Sequence, residues 1–129
     1  MKIGLSESLA RELAEHNIQV LIVEPGAFRT NFLGAYKTTA ASSVENYSAA
    51  KSVLDKFVEW NGSQPGDPTK AASRIVEAVA GTGMAGNLKG KVLRLPLGPD
   101  CVSRVEAKIK SLSDDLDAVR EVAMSTDIE

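Results

Sequence analysis

Ile18-Gln19-Val20-Leu21-Ile22-Val23-Glu24-Pro25-Gly26-Ala27-Phe28-Arg29-Thr30 is the segment that settles the architecture. From Ile18 to Val23 only Gln19 is polar. A near-continuous apolar run suits a parallel strand covered on both faces better than a half-wet antiparallel one. Glu24-Pro25-Gly26 breaks the run. The residues just beyond the carboxyl end of a buried parallel strand lie where open α/β sheets place ligands. Gly26 permits close approach of the backbone. The N–H groups of Ala27 to Thr30 and the Thr30 hydroxyl are candidate partners for an amide or a phosphate. The competing reading is a Pro-Gly that ends a strand for structural reasons alone.

Working outward, residues 3–15 read as an amphipathic helix. Ile3, Leu5, Leu9, Ala10 and Leu13 share one face, and Glu7, Arg11, Glu12 and Glu15 the other. Asn17 is a suitable left-handed terminus. Beyond the strand, residues 26–41 show no period and read as a long loop. Ser42 is placed to cap a helix running to about Trp60, with Val44, Tyr47, Leu54, Phe57 and Val58 inward. Asp67 caps the next helix, with Pro68 at its first position and Ala71, Ala72, Ile75, Val76 and Val79 buried. Residues 81–90 carry four glycines and read as a connection. Val92, Leu93 and Leu95 form a second short strand stopped by Pro96. Val102, Val105, Ile109, Leu112, Leu116 and Val119 follow at spacings of 3, 4, 3, 4 and 3, a heptad-like seam on a last helix. An interruption is expected at Ser113-Asp114-Asp115, and a frayed tail from Met124.

Two strands separated by helices imply a parallel pair. The expected class is therefore α/β: a partial, Rossmann-like doubly wound fold with two parallel strands and about four to five helices, forming one incomplete domain over residues 1–129. A strand as apolar as 18–23 needs neighbours on both edges, and an open edge favours self-association.

Composition narrows the function. The chain has 129 residues, 43% hydrophobic and 25% charged, ordinary values for one globular domain. Fifteen Lys and Arg against 17 Asp and Glu give a net charge of −2, which argues against nucleic acid or an anionic membrane surface as partner. The longest aliphatic run, Val20 to Val23, falls far short of the ~20 residues of a membrane span. The single cysteine, Cys101, excludes an internal disulfide and a multi-cysteine zinc site, and with His16 the single histidine there is no second histidine for a zinc triad. No metal ligands are assigned, and a reduced, cytoplasmic setting is expected. Aromatic residues make up only 5%, so the core is expected to be aliphatic and alanine-rich.

Two motifs match only in letters. Gly81-Thr82-Gly83-Met84-Ala85-Gly86 has the glycine spacing of a dinucleotide loop, but it follows a helix and precedes a strand, the reverse of what phosphate binding at a helix N-terminus needs. Tyr47 and Lys51 have the spacing that lets an ammonium lower a phenol's proton affinity, but they come after the strand and its loop. No G-x-S-x-G is present. Cys101 and His16 read as a half-buried small residue and an exposed helix end.

The order Gly4-Leu5-Ser6-Glu7-Ser8-Leu9-Ala10, Leu13-Ala14, Ile18-Gln19-Val20 and Val23-Glu24-Pro25-Gly26-Ala27-Phe28-Arg29-Thr30 resembles the C-terminal half of the short-chain dehydrogenase/reductase family. Gln64-Pro65-Gly66-Asp67-Pro68, the alanine-rich helix after it and the strand at 91–97 are similar to one subgroup. The resemblance covers most of the chain. It implies hydride transfer between NAD or NADP and an alcohol/carbonyl pair, with Pro25, Gly26, Phe28 and Thr30 lining the nicotinamide side of the cofactor site. Thr30 would bond the carboxamide or phosphate region, and residues 31–60 would cover a small-molecule substrate. The family's glycine-rich loop, its catalytic serine and its Tyr-x-x-x-Lys precede the first matched residue. No catalytic residue is therefore carried over, and the chain alone is expected to be inactive. The alternative is a non-enzymatic interaction module that docks to a related subunit or to itself.

Overall fold

In the computed structural model, which describes residues 2–35 and 48–128, the first helix ends where asparagine allows it to. Helix α1 (Lys2–Leu13) passes into a 3₁₀ turn, Ala14–His16. Asn17 then adopts the left-handed conformation at φ 55°, its N–H donating to the Ala14 carbonyl at 3.1 Å. The amphipathic face is only partly covered: Leu13 is half-buried, whereas Leu5 is 72% exposed.

Strand β1 spans Ile22–Pro25 and β2 spans Arg94–Leu97. They pair in parallel, Ile22 opposite Arg94 and Pro25 opposite Leu97. β1 is thus shorter and later than the apolar run 18–23, because pairing extends only as far as its neighbour does. β2 likewise starts later than expected and includes Pro96. The Ile22 and Gly26 amides donate to the Leu93 and Leu97 carbonyls, each at 2.8 Å, so the odd-numbered residues of β2 face β1. Pro96, being even-numbered, turns its missing N–H to the outer edge, where the ladder needs none. Among the described residues the sheet has these two strands only.

Helix α2 (Ser48–Trp60) begins at the edge of the described residues, so the expected Ser42 cap, the loop beyond residue 35 and the inward positions Val44 and Tyr47 lie outside them, as do the side chains of Leu54 and Phe57. Val58 is exposed, not inward. Helix α3 (Pro68–Ala80) starts as expected: the Asp67 carboxylate accepts from the Thr69 and Lys70 amides at 2.8 and 3.3 Å. Its buried face differs. Ala78 is 4% exposed, but Val76 and Val79 are 64% and 60% exposed, so the face rotates toward Ala71, Ile75 and Ala78.

The core is small and aliphatic. Ala78, Ala85 and Leu95 are buried, with Leu21, Ile75, Leu88 and Leu97 packed against them. It therefore sits between α3, the turn after it and one face of β2. A cleft of about 460 Å³ opens at the amino ends of the strands, between Ala10, Ile18, Val79 and Leu93. Arg94 ties three elements together, donating to Glu7 of α1 at 2.6 Å and to Glu24 of β1 at 2.5 Å. The hydrogen bond to Glu7, aided by the charge of both carboxylates, raises Arg94 above the ordinary arginine value despite some desolvation.

Helix α4 (Pro99–Met124) is continuous for 26 residues. The expected break at Ser113-Asp114-Asp115 does not occur: Lys110 pairs with Asp114 at 2.7 Å across one turn, and the aspartates face solvent. Among the described residues the fold is thus an α/β arrangement of two parallel strands and four α-helices, the partial doubly wound pattern read from the sequence.

Candidate functional site

Parallel strands place their carboxyl ends side by side, and here that end forms a pocket of about 490 Å³. Pro25, Gly26, Phe28 and Thr30, the four residues singled out from the sequence, all line it. The opposite wall brings Phe32, Leu33, Trp60, Gln64, Asp100 and Arg104. The lining is mostly apolar with a few polar groups, the composition of a small-molecule site.

The segment after β1 is held from two sides. From the β2 side, the Asp100 carboxylate accepts the Ala27 N–H through both oxygens, at 3.2 and 3.1 Å. Gly26 makes room for it: a Cβ there would lie 2.1 Å from Asp100 Oδ1. From the other side, Phe28 bridges in parallel to Gly66. The Gly66 amide donates to the Ala27 carbonyl at 3.0 Å, and the Arg29 amide donates to the Gly66 carbonyl at 2.8 Å. Gly66 also has no space for a side chain, since a Cβ would meet the Phe28 ring at 2.6 Å and the Ala27 carbonyl oxygen at 2.7 Å. Arg29 Nε donates to the Gln64 carbonyl at 3.0 Å. Gln64 itself is buried, and its Oε1 accepts from the Gly62 amide at 2.9 Å.

These bonds change the assignment of donors. The Ala27, Arg29 and Thr30 amides, expected to be available to a ligand, are engaged by Asp100, Gly66 and the Phe28 carbonyl. The Thr30 hydroxyl remains a candidate: its oxygen accepts from the Phe32 amide at 3.3 Å, which leaves its hydrogen to donate. The space a Cβ of Gly26 would take is filled by the Asp100 carboxylate.

Asp100 is the residue of the pocket wall that the sequence reading did not single out. The signal was present: Gly98-Pro99-Asp100 directly follows the second strand, and parallel pairing puts it beside Pro25-Gly26. Cys101 next to it is half-buried, and its thiol donates to the Glu24 carbonyl at 3.0 Å, a structural contact. His16 is an exposed helix end beside Glu15, as expected.

The glycine-run lookalike stands apart from the pocket. Gly81 caps α3 in the left-handed conformation at φ 81°. The glycine run then wraps the Glu77 carboxylate, which accepts from Arg74 at 2.5 Å and from the Ala85 amide at 3.2 Å. Those glycines end one α-helix and start no other, Gly86 opening only a single 3₁₀ turn, Gly86–Leu88. Tyr47 falls outside the described residues, as does the side chain of Lys51. Among the described residues there is no cluster suited to a metal ion and no helix long and apolar enough to cross a membrane.

No protein-family model matches the chain. Curated relatives do. Oxidoreductase BOA17 of Botryotinia fuckeliana (strain B05.10) is 28% identical over 123 residues, 95% of this chain and 42% of that protein. Oxidoreductase calM of Penicillium decumbens is 31% identical over 93% of this chain and 39% of its own length. The uncharacterized oxidoreductase YusZ of Bacillus subtilis (strain 168) is 30% identical over 74% of this chain and 33% of its own length. In structure, a short-chain dehydrogenase from Streptomyces avermitilis superposes with a TM-score of 0.69 and 37% identity, over 97% of this chain and 42% of that one. The chain thus spans about two fifths of the length of the proteins it matches. The likeness to short-chain dehydrogenases holds in both sequence and fold, and its extent is consistent with a C-terminal portion of such a domain.

Proposed function

We propose that this chain supplies the nicotinamide-side wall of an NAD- or NADP-dependent short-chain oxidoreductase acting on an alcohol/carbonyl pair. The observation that carries this reading is the braced strand end: Pro25, Gly26, Phe28 and Thr30 line one pocket, and Asp100 and Gly66 hold their backbone in place. A nicotinamide ring is flat, apolar on its faces and carries one neutral amide. Phe28, Phe32, Leu33 and Trp60 offer matching apolar walls, and the Thr30 hydroxyl offers a donor. Asp100 and Arg104 at the same end form an ion pair at 3.5 Å and offset one another's charge, so the described residues of the pocket offer no uncompensated cation for a phosphate and the neutral amide is the better match. When bound, the cofactor would supply the hydride. The chain's own residues would orient its ring and exclude water from one face.

Hydride transfer to a carbonyl also needs a proton donor beside the reacting oxygen. None of the described pocket residues is suited to that role and no catalytic group is carried over by the resemblance, so the 129 residues by themselves are proposed to bind without turnover, in a cytoplasmic setting. Trp60, the only tryptophan, lines the pocket and reports on it. Titration with a reduced nicotinamide dinucleotide is expected to quench Trp60 emission, and ADP-ribose, which lacks the nicotinamide, is expected not to. Thr30→Ala should weaken the quenching about tenfold, the effect of one lost hydrogen bond to a polar ligand group. Equal effects of both ligands, or none, would overturn the reading. Steady consumption of reduced cofactor by the chain with a panel of aldehydes and ketones would overturn the expected lack of turnover.

A further inference from the structure

The most prominent feature that the pocket leaves unused is the apolar seam of α4. Val102, Ile109, Leu112, Leu116 and Val119 are 42–63% exposed along a single row. Only the first turns of α4 are packed, against β2; the rest projects. A helix of 26 residues is about 39 Å long, so the seam extends well clear of the core. A contiguous apolar row of this length is unusual on a free surface.

We propose that this seam docks against the same seam of a second copy of this chain, in antiparallel orientation. The spacing is self-complementary. Antiparallel heptad pairs match the first apolar position of one helix with the second of the other. Here the seam residues then find partners in register: Val102 meets the partner's Val119, Ile109 the partner's Leu112, and Leu116 the partner's Val105, which is half-buried against its own chain. The two-fold axis crosses between residues 110 and 111.

The charges choose the direction. Lys108 and Asp115 each precede a first apolar position, so they flank the seam on the same side. Same-side flanks meet in an antiparallel pair, which sets Lys108 against the partner's Asp115, twice by symmetry. Within α4, Asp100 pairs with Arg104, Lys110 with Asp114 and Arg120 with Asp117, whereas Lys108 and Asp115, like Glu106 and Glu121, enter no ion pair among the described residues. On the opposite flank Glu106 would meet the partner's Ser113, with no repulsion. In a parallel pair Lys108 would face the partner's Ser113, and Asp115 an Arg120 that already holds Asp117 at 2.7 Å. A parallel pair would also crowd both globular parts at one end. This inference rests on α4 alone and does not depend on the redox reading.

The test is a charge exchange on the full chain, followed by sedimentation equilibrium. The unaltered chain is expected to dimerise in a concentration-dependent manner. Lys108→Asp alone and Asp115→Lys alone should each raise the dissociation constant, by roughly tenfold, because attractive contacts become repulsive. The double exchange should restore it. Leu112→Lys should leave a monomer with unchanged far-ultraviolet circular dichroism. A chain that stays monomeric at all concentrations would overturn the proposal, as would a dimer indifferent to Lys108→Asp or a double exchange that does not restore pairing. In a Cys101→Ser background, a mixture of Ile109→Cys and Leu112→Cys chains should form a mixed disulfide dimer. Cross-linking of Ile109→Cys with itself instead would show a parallel pair and overturn the orientation.

Discussion

The carboxyl end of β1 and the outer half of α4 are both rich in exposed or half-exposed apolar side chains, yet they are built on opposite terms. At β1 the backbone is fixed from outside the strand, by Asp100 on one side and Gly66 on the other. Along α4 each residue from 106 to 124 is exposed, and the helix is held only by its own ladder and by ion pairs one turn apart. A surface that is shaped before anything binds suits a small ligand, because less ordering is left to the binding step. A bare helical seam suits another helix, which brings its own regular spacing.

Mutations can break that contrast. The largest effect is expected at the core beneath the pocket. Leu95→Ala should cost about 2–4 kcal/mol in urea unfolding, since the buried side chain leaves a cavity between β2 and α3. A loss below about 1 kcal/mol would mean that β2 does not anchor the pocket.

Next comes Gly66→Ala, at roughly 2 kcal/mol, because the obstructing Ala27 carbonyl is backbone and cannot turn aside. The comparison with Gly26→Ala sharpens the point. There the obstruction is the Asp100 side chain, which can rotate away. Asp100→Ala alone should cost about 1–2 kcal/mol through the lost bonds to the Ala27 amide. In that background Gly26→Ala should add almost nothing, so the two losses are strongly non-additive in a double-mutant cycle. Additive losses would show that Asp100 does not brace the turn.

The smallest effect is expected on α4. Leu112→Ser should change the unfolding free energy of the dilute chain by no more than about 0.5 kcal/mol, as at other exposed positions. A large loss there would show that the seam is covered within one copy of the chain.

Much of this was legible in advance where the signal is local. Asp67 caps α3 because a carboxylate can reach the next two amides without help from elsewhere. Asn17 ends the first helical stretch because its side chain tolerates the left-handed conformation. The strand end was readable from its own Pro25-Gly26, and Pro25, Gly26, Phe28 and Thr30 were grouped there by the resemblance to short-chain dehydrogenases. The seam of α4 was readable as a period. What escaped was the outcome of pairing between distant segments. Asp100 lies 73 residues from Ala27 and carries no mark of its own as a brace. Val76 and Val79 fit the apolar period of α3 as well as Ile75 does, and only the position of Leu95 and Leu21 picks the buried side. Pro96 looked like a stop because the direction of its missing N–H depends on which edge of β2 meets β1.

Local chemistry, then, assigned the helices, their caps, the Pro-Gly end of the first strand and the class of fold, because each depends on neighbours within a turn or two. Long-range packing assigned the register of the two strands, the brace on Ala27 and the uncovered seam. Those features arise where segments remote in the chain compete for the same hydrogen bonds and the same few buried places.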